Sequence, residues 1–368
     1  MNPSSSCCFI IPPDLLYQII KEGTSEQKDK AIRTLELSES LRTQRSILSK
    51  MAGGGVLLRV AGHQQKRRIV YDAKNNDYVF SLPGEPKRYE EDIEDTGDKD
   101  VDSCFQNTGI VYDFYKEVFM RNSIDDNGMA MHSSVHFGVD FDNAIWTGNQ
   151  MVYGDGSDLF LKKGSVASNL SVTAHELTHG VTDFEANLVY RGQPGALNEH
   201  LSDVFAVMCD QWFNKHTFDE SSWLIGKDML VKGQALRSIK EPGTAYPSDK
   251  QISHMQDYHT GMRIHYSSGI PNRAFYLTCK EIGNNSYSWE KAGKIWYIAL
   301  KDRLREYSKF QDAADLLFDI AGSVFGKDSK EQNAVYKGWE AVGIIPRKEG
   351  PDISKVIGER KIHEEEIA

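Results

Sequence analysis

Residues 175–203 read HELTHGVTDFEANLVYRGQPGALNEHLSD, and this stretch decides how the rest of the chain is understood. Its first five residues place His175 and His179 four apart. On a helix that spacing puts both imidazoles on one face, with Cβ atoms roughly 5–6 Å from each other. Two imidazoles so placed can hold one tetrahedral zinc ion, each at about 2.0–2.1 Å. Glu176 follows the first histidine, so its carboxylate stands beside such an ion rather than on it. That is where a general base for a metal-bound water is needed. The segment NEHLSD then offers Glu199 as a third ligand, with His200 as the alternative. Asp203 lies one turn beyond Glu199, placed to accept the second ring N–H of a ligating histidine. Three protein ligands leave a fourth position open to water, which marks a catalytic zinc site rather than a structural one.

Further segments extend the pattern on both sides: SIDDNGMAMHSSVHFG (123–138), DNAIWTGNQMVYGDG (142–156), ALRS (235–238) and IHYSSGIPNRAFYL (264–277). With these in order, the chain from Ile69 to Gly343 resembles the thermolysin family of zinc endopeptidases. The resemblance implies His175, His179 and Glu199 as zinc ligands, Glu176 as catalytic base, and Tyr190 with His265 as donors to the developing oxyanion. It also implies that Asn143 and the carbonyl of Ala144 grip the substrate backbone, and that Arg237 hydrogen-bonds a substrate carbonyl. The implied reaction is hydrolysis of peptide bonds on the amino side of hydrophobic residues. Glu176 takes a proton from the attacking water and delivers it to the leaving amine. The alternative reading is a weakly active or inactive zinc-binding interaction module of the same fold.

Composition agrees with an enzyme of this kind. Length alone, at 368 residues, predicts two lobes each able to bury a core. Forty-three basic against 53 acidic side chains give a formal charge of −10, which argues against a nucleic-acid surface. No apolar run is long enough to cross a bilayer, so no membrane partner is expected. The five cysteines do not suggest a disulfide framework. Expected partners are protein or peptide substrates and a proteinaceous inhibitor, with the chain itself monomeric.

The predicted architecture is α+β, a two-lobed zincin fold with a cleft between the lobes. Residues 1–52 read as a propeptide, 53–170 as a β-rich lobe, 171–346 as a helical lobe and 347–368 as a charged tail. In the first lobe, MAMHSSVHFG, NAIWTG and QMVYGDG suggest strands, and an amphipathic helix is expected over Ser103–Arg121. DDNG at 125–128 reads as a tight turn. In the second lobe, KAGKIWYIALKDRL and DAADLLFDIAGSVF show helical periodicity, and Ser329 with Gln332 suggests a capping box.

The N-terminus lacks the basic start and unbroken apolar run of a conventional signal peptide, which leaves a cytoplasmic location or an unconventional export route. Cys8-Phe9-Ile10-Ile11-Pro12-Pro13 is similar to the Cys-x-x-x-Pro-Pro segment of protealysin-like members of the family. That similarity implies a segment that docks in the cleft and keeps a precursor latent, with Cys8 able to reach the open zinc position. A helix is expected from Ser25 as its cap, carrying Ile32, Leu35 and Leu41 on its apolar side, before a glycine hinge at Gly53–Gly55.

Two departures stand out. Positions matching the family's calcium-binding carboxylates hold Ser171, Leu224 and Lys227, with Asp210 and either Asp219 or Glu220 left, so no tight double calcium site is expected. Before His265 the chain reads Thr260-Gly261-Met262-Arg263-Ile264, without the aspartate common in the family; Asp257 is the nearest substitute, and Arg263 favours a neutral imidazole.

Overall fold

A computed structural model describes residues 9–52 and 65–347. Cys8, Gly53–Gly55 and the charged tail from 348 lie outside the described residues, so the expectations placed on them have no structural counterpart here.

The chain begins with two helices, α1 (Pro13–Glu22) and α2 (Ser25–Ala52). Pro13 sits at the first position of α1, where a missing N–H costs nothing. The cap of α2 is Thr24 rather than Ser25. Thr24 Oγ1 accepts from Gln27 N at 3.3 Å, and Gln27 Oε1 accepts from Thr24 N at 3.0 Å, a reciprocal pair that satisfies two donors at once. The buried face of α2 also differs from the expected one. It consists of Ala31, Thr34, Leu37, Ser38 and Leu41, whereas Ile32 is exposed.

The first lobe holds β1 (Arg68–Asp72), β2 (Glu85–Tyr89), α3 (Lys99–Phe119), β3 (Met131–Val135), β4 (Ala144–Trp146) and β5 (Met151–Tyr153). The sheet order is β2-β1-β3-β5-β4, with β1, β3 and β5 parallel and both outer strands antiparallel to their neighbours. Helix α3 starts four residues earlier than its periodicity suggested, because Asp98 Oδ1 accepts from Asp100 N and Val101 N and fixes its first turn. Asp125 Oδ1 receives the amides of Asn127 and Met129, so DDNG is a turn held by its own side chain.

The second lobe is helical: α4 (Ser165–Ser168), α5 (Leu170–Phe184), α6 (Gly192–Asn214), a short β6 (Leu224–Ile225) and β7 (Arg237–Ser238) pair, α7 (Ile264–Ser267), α8 (Gly269–Ile282), α9 (Lys291–Ile298), α10 (Phe310–Phe325) and α11 (Lys330–Glu340). One large apolar core runs through α3, α5, α6, α8, α9, α10 and α11. A second cluster joins Phe9, Leu37 and Leu41 to Val79, Phe137, Phe141, Ile145 and Val152. The N-terminal segment therefore shares a core with the sheet. No helix of the described residues is long and apolar enough to cross a membrane.

Candidate active site

Helix α5 opens at Asn169, whose Oδ1 accepts from Ser171 N and Val172 N. This start sets the phase that turns His175, Glu176 and His179, all without solvent exposure, into one group. Nε2 of His175 and Nε2 of His179 face each other at 3.0 Å. From α6, Glu199 Oε2 lies 3.5 Å from His175 Nε2, and Glu199 Oε1 lies 3.6 Å from His179 Nε2. Ligands about 2.0–2.1 Å from a tetrahedral ion stand roughly 3.3–3.4 Å apart, so the three donors fit around one zinc. Glu199 Oε2 is buried and receives no hydrogen bond from the described residues, as a metal-directed oxygen would be. Burial pushes His175 down to about 4 and Glu199 up to about 8. Zinc binds neutral imidazole and carboxylate, so an ion bound here would displace the proton that burial favours on Glu199.

The outer nitrogens are anchored. Asp203 Oδ1 accepts from His175 Nδ1 at 2.9 Å, while His179 Nδ1 meets Asn198 Oδ1 at 2.7 Å and Ser202 Oγ at 2.9 Å. His200 points elsewhere: its Nδ1 meets Asn272 Oδ1 at 2.9 Å, and its Nε2 accepts from Trp296 Nε1 at 2.8 Å. The alternative ligand is thereby removed.

Glu176 Oε2 accepts the backbone N–H of Trp146 at 2.9 Å, so the edge strand β4 orients this carboxylate. Tyr190 donates its hydroxyl to Glu199 Oε1 and stands 3.5 Å from His265 Nε2. His265 Nε2 is itself 3.5 Å from Glu199 Oε2. Burial pushes His265 down to about 3, reinforced chiefly by Arg237 across the site and less by His175 and Arg42. Asp257 is exposed on a short turn and is no substitute for the missing acid.

The opposite wall grips a piece of the same chain. Ile10 N donates to Ala144 O at 3.3 Å, Ile11 N donates to Asn143 Oδ1 at 3.0 Å, and Arg237 Nη1 donates to Ile10 O at 3.1 Å. Phe9 bridges Ile145 in antiparallel fashion, so residues 9–11 extend the sheet beyond β4. Ile10 is fully buried. Pro12 caps α1 and, with Pro13, turns the chain out of the cleft into that helix. Thr34 and Ser38 of α2 reach Asp142 N at 3.4 Å and Asn143 Nδ2 at 3.5 Å, and the Arg42 guanidinium lies over the Phe9 ring at 4.7 Å. No spacing or motif marks Thr34, Ser38, Arg42, Asn198, Ser202 or Asn272 as part of this site, since each acts across a long loop of chain.

At the positions compared with calcium ligands, Ser171 Oγ accepts from Gly226 N at 2.9 Å and bonds Asn169 Oδ1 at 2.7 Å. Asp210 Oδ1 accepts from Asn214 Nδ2 at 3.2 Å, and Glu220 Oε2 takes the amide and hydroxyl of Thr217. These oxygens are engaged within the chain.

Comparison with known proteins places this geometry. Residues 43–183 match the family model described as thermolysin metallopeptidase, catalytic domain, and residues 186–344 match thermolysin metallopeptidase, alpha-helical domain. An extracellular metalloprotease of Pectobacterium carotovorum subsp. carotovorum is 39% identical over 363 residues, covering 94% of this chain and 99% of its own. Protease PrtS of Photorhabdus sp. (strain Az29) is 38% identical over 358 residues, covering 93% and 94%. Among solved structures, the precursor of protealysin, a metalloproteinase from Serratia proteamaculans, superposes with a TM-score of 0.79 at 37% identity, covering 92% of this chain and 99% of that one.

Proposed function

Because the chain belongs to the thermolysin family of metallopeptidases and is a zinc-dependent endopeptidase, we propose that His175, His179 and Glu199 hold its zinc. The observation that carries this is the convergence of two Nε2 atoms and one carboxylate at 3.0, 3.5 and 3.6 Å. Zinc bound there would supply a water acidified towards pKa of about 7 and a Lewis acid for the scissile carbonyl.

The remaining work falls to the chain's own side chains. Glu176, held by Trp146 N, takes the water's proton and passes it to the leaving amine. Tyr190 and His265 stand where negative charge develops on the carbonyl oxygen, and donors there are commonly worth about 10²–10³ in rate. A neutral His265, kept so by burial and Arg237, donates from the ring nitrogen that carries its proton. Asn143, Ala144 and Arg237 hold an extended backbone, as they hold Ile10 and Ile11. The buried Ile10 between these grips supports cleavage on the amino side of a hydrophobic residue.

Residues 1–52 act, in this reading, as a propeptide that keeps the enzyme latent by filling the cleft, with lobes over 53–170 and 171–346. A Cys8 thiolate reaching the open zinc position belongs to this proposal through the resemblance of the Cys-x-x-x-Pro-Pro segment, Cys8 itself lying outside the described residues. A monomer without a tight double calcium site, open to a proteinaceous inhibitor that enters the cleft as residues 9–11 do, completes the proposal. A binding-only module is not favoured, because base and oxyanion groups converge on the same point.

The test is to incubate the full-length chain with zinc beside Glu176→Ala, following mass and cleavage of a peptide with an internal leucine. Loss of a fragment of roughly the propeptide's size with onset of cleavage, both absent in the variant, is expected. A wild-type chain that binds zinc yet cuts nothing after its N-terminal segment is removed would overturn the catalytic reading.

A further inference from the structure

Behind the site, four buried polar side chains form a line that no step of the reaction uses: Trp296 on α9, His200 and Asp203 on α6, and Asn272 on α8. All are 1% exposed or less. Burying so many polar groups is costly unless every one is satisfied, and a satisfied network locks one arrangement.

The direction of this line is fixed from one end. An indole N–H can only donate. Trp296 Nε1 donates to His200 Nε2 at 2.8 Å, so that nitrogen is an acceptor. An imidazole whose Nε2 accepts carries no proton there, so its proton sits on Nδ1. His200 Nδ1 therefore donates to Asn272 Oδ1 at 2.9 Å. That sets the amide, and its Nδ2 donates to Asp203 Oδ2 at 2.9 Å. Asp203 then has Oδ1 turned to His175 Nδ1 at 2.9 Å, while Arg237 Nε straddles both oxygens at 2.9 and 3.0 Å. One carboxylate thus aims a metal-directed imidazole and a substrate-directed guanidinium.

We infer that Asn272, oriented through His200 by Trp296, is a positioning residue that fixes the Asp203 carboxylate and through it both His175 and Arg237. None of the three touches the zinc site or the cleft segment. The inference rests on the proposed roles of His175 and Arg237. Asn272→Asp replaces the donor facing Asp203 with an acceptor; Trp296→Phe keeps an aromatic ring in the core, at the cost of a small cavity, and removes the N–H that sets the direction.

The experiment measures zinc affinity of the full-length chain by chelator competition, the visible spectrum of the cobalt-substituted protein, and thermal unfolding of the metal-free form. Side chains that orient a metal ligand typically change affinity by about 10–100-fold, so Asn272→Asp is expected to weaken zinc binding by that factor and to shift the cobalt bands. Trp296→Phe, the milder change, is expected to move both in the same direction by less while remaining folded. Folded variants with wild-type zinc affinity and an unchanged cobalt spectrum, even at a lowered melting temperature, would overturn the inference. A wild-type chain that took up no zinc would instead overturn the metal assignment on which it rests.

Discussion

The two walls of the cleft are built on opposite plans. The helical wall carries His175, Glu176, His179 and Glu199, each buried and aimed by neighbours such as Asp203, Asn198 and the N–H of Trp146. The strand wall carries Asn143 and Ala144, and their outward groups, with Arg237 reaching in from the short β7 of the helical lobe, are spent on Ile10 and Ile11. The first wall is complete without the N-terminal segment; the second is satisfied by it. Chemistry is thus preorganised while access is withheld, and the two properties are separable by mutation.

The sharpest break in that separation comes from Glu176→Ala, which removes the base and leaves the strand wall whole. Peptide hydrolysis is expected to fall by about 10²–10⁴ with zinc retained, as measured by steady-state rates and metal analysis. Next in size, Tyr190→Phe should lower kcat by about 10²–10³ with little change in KM, since its hydroxyl serves the developing charge and not the ground state. On the other wall, Ser38→Leu would deprive Asn143 Nδ2 of its partner in α2. Because a single neutral hydrogen bond contributes about 1 kcal/mol, the expected result is a several-fold faster release of latency at unchanged final kcat.

A further effect concerns neither wall and serves as a control. His136 Nδ1 meets Asp155 Oδ1 at 2.7 Å and its Nε2 meets Asp98 Oδ2 at 3.0 Å. The bond to Asp155 chiefly raises its pKa to about 9. A raised folded-state value means stabilisation that is fully present below the unfolded value near 6.5 and is lost as pH climbs through about 9. The wild type should therefore lose roughly 2 kcal/mol of stability between pH 6.5 and 10, and His136→Gln should lack that component, by thermal melts across the range.

Legibility in the sequence follows the same division. His175, Glu176 and His179 lie within one short helical spacing that helical geometry converts directly into proximity, and Glu199, on the next helix, is legible through the motif NEHLSD. Their supports do not lie so close: Trp146 reaches Glu176 across 30 residues, Asn272 reaches Asp203 across 69, and Arg237 reaches Ile10 across 227. The helix α2 shows a different failure. Apolar periodicity pointed to Ile32 and Leu35, yet Thr34 and Ser38 lie inside because their hydroxyls meet the segment that carries Asn143. Hydrophobic pattern locates a face that packs on apolar surface, not one that hydrogen-bonds a site. The cap of α2 fell one residue from its expected place because Ser25 and Thr24 are equally able caps, and only the Thr24–Gln27 spacing completes the reciprocal bond.

The most direct measurement places a charge where the strand wall holds its own chain. Ile10 is fully buried between Ala144, Asn143 and Arg237, and a carboxylate there would be expelled. The full-length Ile10→Asp chain is mixed with zinc and a leucine-containing peptide, and initial rates are recorded while mass spectrometry shows the chain still intact. Hydrolysis by the intact variant, at a rate near that of the processed enzyme and absent from the intact wild type, is the expected result. An intact, zinc-loaded variant that stays silent would contradict the claim that the docked segment around residues 9–11 is what stands between a finished catalytic wall and its substrate.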